Sequence, residues 1–405
     1  MKVALAFGAA ALTLAVSLTL GEMLLRGLSA DAYYPWAPHT RVTFRLPTGL
    51  APGIRPETKY VVNAAGIRGD AFTDRQRYRI LAIGGSTTEC MLLDDSLAWP
   101  QLVQDALNHR VGNGHVWVGN AGRSGRSAGH HDLYMKYLLP QYPRIDAVIV
   151  LVGINDLQRR LTMGSDYQAL ARASPDADAR LMQQAFEDLP RRYRAGPVYK
   201  RTEVWRRLRT VKLVVSSWFG KESHLQDVGG NHLATWRRHR KTATTIRDTL
   251  PDVRAALADY GRQLNALVDD AHRLNVRLIL VTQPAIWGPG LPPKVRDLLW
   301  LGGIGDFQAD SGREYYSVEA LARGLDLYNR TLLNVCRDRQ VECIDLASAL
   351  PKDTTVFYDD VHFNAPGARK VAEIITTYLL THGTLGDLLS PPARAVAPPP
   401  PPEEG

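Results

Sequence analysis

The feature that most constrains the fold is a regular alternation between short apolar runs and longer segments with helical periodicity. Five runs have the length and composition of buried strands, and a helical pattern follows each of them. The runs are Arg79–Gly84, Val116–Val118, Asp146–Val152, Arg277–Val281 and Val341–Leu346. Parallel neighbours in a sheet need helical crossovers. The alternation therefore predicts a three-layer, doubly wound α/β domain with a parallel five-stranded sheet.

The amino-terminal segment predicts export. Residues 3–20 form a mostly apolar, uncharged run after Lys2, and charge returns at Glu22 and Arg26. The run is long enough to cross the hydrocarbon layer of a membrane. We predict an uncleaved anchor over residues 1–28, with the following domain extracytoplasmic, on the periplasmic side of a bacterial inner membrane. A signal peptide that is cleaved on secretion is the alternative.

Changes in composition divide the remaining chain. Residues 29–78 contain prolines and aromatic residues with little periodicity, which predicts an extended arm between membrane and domain. The α/β domain is predicted over residues 79–385. Residues 386–405 are rich in proline and cannot form a packed core, so they predict a disordered tail.

A long segment, residues 157–250, interrupts the alternation of strands and helices. It is charged and shows no clear strand, so we predict a helical insertion over the carboxyl edge of the sheet. Between Arg191 and Lys241 it carries fourteen basic and three acidic side chains, an excess of eleven positive charges, whereas the whole chain has a net charge of +8. Aromatic residues such as Trp205 and Trp218 lie between these charges.

This basic and aromatic composition favours contact with a negatively charged surface. Anionic lipid headgroups attract such segments, and an acidic polymer attracts them through the same long-range field. A solvated helical face with ordinary core contacts is the alternative interpretation. Nucleic acid is not expected as a partner, because the domain is predicted to lie outside the cytoplasm.

Three cysteines are too few for a disulfide framework, and none has the spacing of a metal site. Cys90 is predicted to be a small core residue. Cys336 and Cys343 pair only if the fold brings their Cα atoms close together, which the sequence leaves open.

Polar loops follow the predicted strands at the points where the strands end. The first is Gly84-Gly85-Ser86 and the second is the glycine-rich stretch from Asn120 to Gly125. The others contain Asn155 and the pair Asp359-x-x-His362. Because the carboxyl ends of parallel strands share one edge of a sheet, we expect these loops to meet there.

This set of residues suits ester chemistry. A serine hydroxyl loses its proton during attack on a carbonyl carbon, a histidine accepts the proton, and a carboxylate orients the ring and stabilises its charged form. The carbonyl oxygen becomes an anion and needs hydrogen-bond donors already in place.

The chain resembles the SGNH/GDSL hydrolase family in these four blocks, which occur in the family's order. The resemblance implies a flavodoxin-like fold in which Ser86 is the nucleophile, His362 the general base and then acid, and Asp359 the residue that orients His362. It implies an oxyanion hole formed by the N–H groups of Ser86 and Gly125 and by the Asn155 amide. It implies no cofactor and no metal.

For two of these roles a neighbouring residue is an alternative, and one position departs from the family's pattern. Gly122 is the alternative to Gly125, and Asp360 competes with Asp359, although the three-residue offset to His362 favours Asp359. The aspartate that usually precedes the serine in this family is Gly85 here. After the fourth strand, Gln283-Pro284 and Trp287 either line the pocket or only pack the loop.

The sequence thus predicts a membrane-tethered serine esterase. The family resemblance and the predicted location imply that it removes ester-linked groups, O-acetyl groups above all, from an extracytoplasmic carbohydrate such as an envelope polysaccharide. Three alternatives stay open: an O-acyltransferase acting on envelope polysaccharide, a lysophospholipase-like lipid esterase, and a non-catalytic envelope scaffold.

Overall fold

The computed structural model describes residues 2–28, 32–112, 114–164, 167, 175–190, 193–194, 196–218 and 230–382. The tail predicted for residues 386–405 lies outside this part, as do residues 219–229 of the predicted insertion. The strands described are β1 (Arg41–Arg45), β2 (Glu57–Val61), β3 (Tyr78–Gly84), β4 (Val116–Asn120), β5 (Ala147–Leu151), β6 (Thr245–Arg247), β7 (Arg277–Val281), β8 (Glu314–Tyr316) and β9 (Glu342–Ile344). The helices described are α1 (Lys2–Leu28), α2 (Ser86–Glu89), α3 (Trp99–Val111), α4 (Ala128–Leu133), α5 (Ile154–Met163), α6 (Pro175–Ala185), α7 (Glu203–Trp218), α8 (Gly230–Lys241), α9 (Arg254–Leu274), α10 (Pro293–Arg296), α11 (Val318–Arg339), α12 (Leu346–Ala349) and α13 (Ala365–Thr381).

A parallel sheet of five strands, in the order β4-β3-β5-β7-β9, forms the centre of the fold. Ile80 of β3 lies opposite Val118 of β4 on one side and Ala147 of β5 on the other. The chain therefore winds outward in one direction from β3 to β4 and in the other direction from β5 to β9. The predicted doubly wound parallel sheet is confirmed. The loops after β3 and β5 flank the point where the winding direction changes, which is where such proteins bind their ligands.

Helices cover both faces of this sheet. On one side α3 packs against α13 and β4, and on the other α9 packs against α4 and α11. Strands β3, β4 and β5 are buried along their whole length, as expected for strands with helices on both faces. Burial of a side chain such as Ile80 or Ile149 contributes about 1.5–3 kcal/mol, so the sheet is a stable base for the loops at its edge.

The extended arm predicted for residues 29–78 is wrong. Strands β1 and β2 form an antiparallel hairpin in which Val42 lies opposite Tyr60. The side chains of Val42, Phe44 and Tyr60 are buried in the main hydrophobic core. Buried and more exposed residues alternate along both strands, but each strand is too short for this period to stand out among the surrounding prolines and polar residues.

The insertion is helical in α6, α7 and α8, but the prediction that it lacks a strand is wrong. Strand β6 pairs in parallel with β8. All three of its residues are exposed, so no apolar run marks it in the sequence. Two arginines hold helix α8 to the backbone of neighbouring segments, one beside Asp359 and one in β8. Arg237 donates a hydrogen bond to the Tyr358 carbonyl at 3.0 Å, and Arg240 donates to the Tyr316 carbonyl at 2.9 Å.

Two features concern the compartment in which the protein works. Helix α1 contains a segment, Phe7–Leu28, that is long and apolar enough to span a bilayer, with a mean hydropathy of 1.6, and a signal sequence has the same properties. Cys336 and Cys343 form a disulfide that joins α11 to β9, with their Cα atoms 6.1 Å apart. Cys90 is a buried free thiol, as predicted.

Candidate active site

Ser86 lies at the carboxyl end of β3, at the first position of α2. The backbone of Gly85 before it is extended, with φ −83°, and turns the chain from strand to helix. The N–H groups of a first helical turn lack intrahelical acceptors, and no described residue accepts a hydrogen bond from the Ser86 N–H. The turn therefore presents both the hydroxyl and the N–H of Ser86 at the edge of the sheet.

The structure brings His362 to Ser86 from the other end of the domain. The Nε2 atom of His362 lies 2.7 Å from Oγ of Ser86, although 276 positions separate the two residues. Its Nδ1 atom lies 2.8 Å and 2.9 Å from the carboxylate oxygens of Asp359. Asp359 also accepts hydrogen bonds from the backbone N–H groups of Val361 and His362, at 3.0 Å and 2.9 Å. These contacts fix the imidazole between carboxylate and hydroxyl.

Burial and charge together set the pKa of both ionisable groups. Burial raises the pKa of the Asp359 carboxyl, but attraction to His362 and hydrogen bonds from His362 and Trp300 outweigh burial and leave this pKa below its ordinary value. Burial lowers the pKa of His362, but the charge and hydrogen bond of Asp359 outweigh burial and raise this pKa above 6.5. The pair is therefore arranged to stabilise a protonated imidazole beside a carboxylate.

Asp360, the competitor of Asp359, points away from His362. Its carboxylate accepts a hydrogen bond from the Trp287 indole at 2.8 Å and from the backbone N–H groups of Trp300 and Leu301, at 2.7 Å and 3.1 Å. Burial and the neighbouring charge of Asp359 raise the pKa of Asp360. Asp360 therefore fastens the loop around Trp300 to the loop that carries His362.

Two candidate donors for an oxyanion flank Ser86. Asn155, in the first turn of α5, donates one amide N–H to a backbone carbonyl at 2.9 Å, and its second N–H remains. Gly125 lines the same cavity with φ +76°, a conformation that favours glycine. Its N–H has no acceptor among the residues that the structure describes. By contrast, the Gly122 N–H donates to the Asn120 side chain at 2.9 Å. The structure therefore brings Asn155 and Gly125, rather than Gly122, to this cavity.

Comparison with known families identifies the group to which the chain belongs. The model of the GDSL-like lipase/acylhydrolase family matches residues 82–370, which include both Ser86 and His362. The chain belongs to this family. Lipases and acylhydrolases cleave ester bonds, so the protein is a hydrolase that acts on esters, and the resemblance to SGNH/GDSL hydrolases is confirmed.

Solved structures of esterases are similar to this GDSL hydrolase at low sequence identity. They include an acetylxylan esterase from Geobacillus stearothermophilus, with 15% identity, a TM-score of 0.38 and coverage of 75% of this chain and 94% of that chain. An M. smegmatis aryl esterase has 13% identity, a TM-score of 0.38 and coverage of 75% and 99%. A carbohydrate acetylesterase from Sinorhizobium meliloti has 11% identity, a TM-score of 0.37 and coverage of 75% and 99%. No curated protein matches the sequence.

Gly85 precedes the candidate nucleophile, and the structure gives a local reason for a glycine at this position. A Cβ atom at Gly85 would lie 2.3 Å from Nδ2 of Asn155, which is closer than real Cβ contacts. A larger residue fits only if Asn155 moves. The glycine therefore allows the Asn155 amide to approach the turn that carries Ser86.

A cavity of about 540 Å³ opens over Ser86 and His362. Its walls come from distant parts of the GDSL hydrolase, with Trp36 from the amino-terminal segment and Leu233 and Trp236 from α8 of the insertion. The other lining residues are Glu89, Met91, Leu92, Ser124, Gly125, Ile154, Asn155, Gln158, Thr162, Trp300, Leu301, Phe307, Gln308, Tyr358, Asp359 and Val361. Within the described residues, no group of three or more His, Cys, Asp or Glu side chains could hold a metal ion.

Of the two interpretations left open for Gln283-Pro284 and Trp287, the structure supports loop packing, because none of the three lines the cavity over Ser86. Trp287 is buried, and its indole bonds Asp360. Gln283 accepts a hydrogen bond from the Thr87 hydroxyl at 3.2 Å. Both Gln283 and Trp287 line a separate cavity of about 520 Å³. Gln283 and Trp287 therefore hold neighbouring loops together through their bonds to Thr87 and Asp360.

Two residues that support the site were missed in the sequence. The Trp300 indole donates a hydrogen bond to Asp359 Oδ2 at 3.0 Å, and no pattern in its loop indicates this contact. Glu89 is fully buried and accepts hydrogen bonds from the N–H and hydroxyl of Ser124, at 2.7 Å and 2.5 Å. It thereby holds the loop just before Gly125. A lone carboxylate between Ser86 and an apolar stretch was a signal that could have identified Glu89.

Proposed function

We propose that this hydrolase is a serine esterase that forms an acyl-enzyme at Ser86. The observation that carries the proposal is the continuous contact from Ser86 Oγ to His362 Nε2, 2.7 Å, and from His362 Nδ1 to Asp359, 2.8 Å. In this arrangement the imidazole removes the hydroxyl proton as the oxygen attacks, and the buried carboxylate stabilises the imidazolium that forms.

The reaction takes place in two steps with the same groups. Ser86 Oγ bonds to the carbonyl carbon of the ester, and its proton passes to Nε2 of His362. The alcohol leaves with that proton, which leaves the acyl group on Ser86. A water molecule then attacks the acyl carbon and gives its proton to His362, which returns it to Ser86 Oγ as the carboxylic acid departs.

The oxyanion of each tetrahedral intermediate is proposed to bind the N–H groups of Ser86 and Gly125 and the free N–H of Asn155. All three residues line the cavity, which supports this role. Removal of one such donor typically lowers the rate about 10²–10³-fold. Glu89 contributes indirectly, because its bonds to Ser124 hold the loop that precedes Gly125.

The substrate that we propose is an O-acetyl ester of a carbohydrate. Aromatic side chains line the cavity that contains Ser86, with Trp36, Trp236 and Trp300 among them, and the amides of Gln158 and Gln308 line it as well. Aromatic rings pack against the C–H faces of sugars, and amides bind sugar hydroxyls, so this lining suits a pyranose unit with a small acyl group.

The proposed location is the extracytoplasmic side of a membrane, to which α1 anchors the domain. Lys2 precedes the apolar run, which favours a cytoplasmic amino terminus. The Cys336–Cys343 disulfide supports this orientation, since disulfides persist in oxidising compartments and are rare in the cytosol.

The experiment that tests the proposal measures acetate release from acetylated xylo-oligosaccharides and from 4-nitrophenyl acetate by the detergent-solubilised full chain. We expect wild type to hydrolyse both and Ser86→Ala to hydrolyse neither. Ser348→Ala is the matched control, because Ser348 is exposed and, among the residues that the structure describes, its hydroxyl bonds only Asp345. Equal activity of Ser86→Ala and wild type would refute the proposal.

A lipid esterase is the second candidate, favoured by the apolar residues Met91, Leu92, Leu233 and Phe307 in the same cavity. Rates on 4-nitrophenyl esters of increasing chain length distinguish the two, because a carbohydrate acetylesterase loses activity beyond short acyl groups. Product analysis with and without an added polysaccharide acceptor identifies an acyltransferase, in which a sugar hydroxyl rather than water takes the acyl group from Ser86.

A further inference from the structure

Helix α7 of the insertion turns an apolar side toward solvent. Trp205, Leu208, Val211 and Val215 are 41%, 59%, 57% and 38% exposed. The spacing of three and four residues places them along one side of the helix. We call these four side chains the α7 stripe. A surface helix normally buries its apolar side and exposes its polar side, so the stripe is the reverse of the usual arrangement.

Ion pairs on the other side of α7 hold this orientation. Glu203 accepts hydrogen bonds from Arg194 at 2.8 Å and from Arg206 at 2.7 Å. Further along the helix, Arg209 bonds Glu187 at 2.6 Å. Glu203 is buried, so turning the stripe inward would break paired charges in a buried environment, which is strongly unfavourable. The stripe therefore stays outward unless a partner covers it.

The stripe begins beside the carboxyl-terminal part of the apolar helix α1. The side chain of Glu22 in α1 accepts a hydrogen bond from the backbone N–H of Val204, at the start of α7, at 3.0 Å. Residues 7–20 of α1 are exposed and mostly apolar. The two apolar surfaces thus meet at one place, so whatever covers α1 also reaches the start of α7.

Basic and aromatic side chains accompany the stripe. Lys200, Arg207 and Lys212 are exposed, and no ion pair is formed by any of these three within the described chain. Tyr199 is 55% exposed and packs edge-on against Trp205, with ring centroids 5.3 Å apart. Lysine and arginine attract anionic headgroups, and tyrosine and tryptophan favour the boundary between headgroups and acyl chains. This combination matches a lipid surface in both charge and polarity.

We infer that α7 lies in the interfacial layer of the membrane and docks the domain on anionic phospholipid. The inference rests on the proposed function in one respect, the insertion of α1 in a bilayer.

Docking also limits the position of the candidate site. Trp36, which lines its cavity, follows Leu28 by only eight residues, a reach of at most about 28 Å. The docked domain therefore holds the cavity close to the membrane surface.

The experiment places a fluorophore at the stripe of the full chain. Leu208→Cys is labelled with an environment-sensitive nitrobenzoxadiazole probe and reconstituted in nanodiscs of phosphatidylcholine and phosphatidylglycerol that contain doxyl-labelled lipid. Arg254→Cys is the matched control, because Arg254 is exposed at the start of α9. We expect a blue shift and strong quenching at position 208 and neither at position 254, since an interfacial helix places its apolar face about 5–10 Å into the headgroup boundary.

A charge variant tests the lipid specificity. Arg207→Gln with Lys212→Gln, in the Leu208→Cys background, should weaken the docked state by about fivefold per charge removed. Equal quenching at positions 208 and 254 would overturn the inference, as would a spectral shift caused by soluble polygalacturonate instead of lipid. Hydrolysis of 4-nitrophenyl acetate, measured on the same samples, separates the two proposals: quenching without hydrolysis contradicts only the esterase, and hydrolysis without quenching contradicts only the docking.

Discussion

The indole N–H of Trp300 donates a hydrogen bond to Oδ2 of Asp359 at 3.0 Å, while the backbone N–H of Trp300 donates to Asp360 at 2.7 Å. The side chain and the backbone of Trp300 thus each bond one of two adjacent carboxylates, which point in different directions. Asp359 is left facing His362, and Asp360 is turned into the fold. Trp300 thus contributes, with Trp287 and Leu301, to the choice between these two acids, which the sequence alone bases on a three-residue offset.

Trp300→Phe should lower kcat about tenfold, which is the effect expected on losing one hydrogen bond to a charged group. The indole helps to keep the pKa of Asp359 low. Without it the carboxylate binds the imidazolium more tightly, so the acidic limb of the pH profile of kcat/KM should move to higher pH. A profile that keeps its midpoint would show that Trp300 only fills space.

The control for this variant is Trp236→Phe. Trp236 packs against Trp300 with ring centroids 4.6 Å apart and lines the same cavity. It has no hydrogen bond to Asp359 within the described structure. We expect Trp236→Phe to raise KM and to leave the midpoint of the pH profile unchanged.

The pH dependence of activity should report the contact between Asp359 and His362. The reaction needs the neutral imidazole as base, and the pKa of His362 is raised above 6.5 because Asp359 outweighs the effect of burial. Activity should therefore rise with pH through a midpoint above 6.5. Asp359→Asn should lower kcat about 10³–10⁴-fold and move the midpoint to lower pH. Rates measured across this range by wild type and variant check both effects; an unshifted midpoint in the variant would contradict the assignment.

Gly85→Ala should lower activity about 10²–10³-fold, the effect expected from displacement of one oxyanion donor. The added Cβ would lie 2.3 Å from Nδ2 of Asn155 and would push this amide away. Gly288→Ala is a suitable control, because its Cβ would meet only the flexible Lys352 side chain, at 3.8 Å. Combining Gly85→Ala with Asn155→Ala should add little to either loss; full additivity would mean that the two positions act separately.

Asp156→Asn should stabilise the fold at neutral and higher pH. Burial raises the pKa of this carboxyl from 3.8 to about 7, despite hydrogen bonds from the Ala128 N–H. The native state therefore binds the proton more tightly than the unfolded chain does, and the free energy of unfolding falls as pH rises from 3.8 to about 7. The variant lacks this dependence, so its gain in melting temperature over wild type should be larger above pH 7 than below pH 4. If the difference in melting temperature between variant and wild type were the same at every pH, the raised pKa of Asp156 would be contradicted.

The fold and the four site loops were predictable because both depend on local patterns. Strands β3, β4 and β5 are mostly apolar and buried, and the loops that carry Ser86, Gly125 and Asn155 begin where these strands stop, whereas Asp359-x-x-His362 lies between β9 and α13. Ser86, Asn155 and Asp359-x-x-His362 were identified from these positions together with the family resemblance, and the structure brings them to a single cavity.

Other parts were not predictable because they depend on contacts between distant segments. Trp36 and Trp300 reach the cavity from regions without any periodicity. The β1–β2 hairpin needs the domain core to bury Phe44 and Tyr60. Arg237 belongs to a basic run that suggests a solvated surface, yet it is buried against backbone carbonyls. These contacts depend on how distant segments pack together, which cannot be inferred from local sequence patterns.

The most direct test of the account is covalent labelling of the folded full-length protein with a fluorophosphonate, followed by peptide mapping by mass spectrometry. We expect one adduct, on the Oγ atom of Ser86, which is lost in Ser86→Ala and forms much more slowly in a variant that lacks the His362 imidazole. A folded wild-type protein that takes up no label, or that carries the label on another residue, would contradict the proposed chemistry.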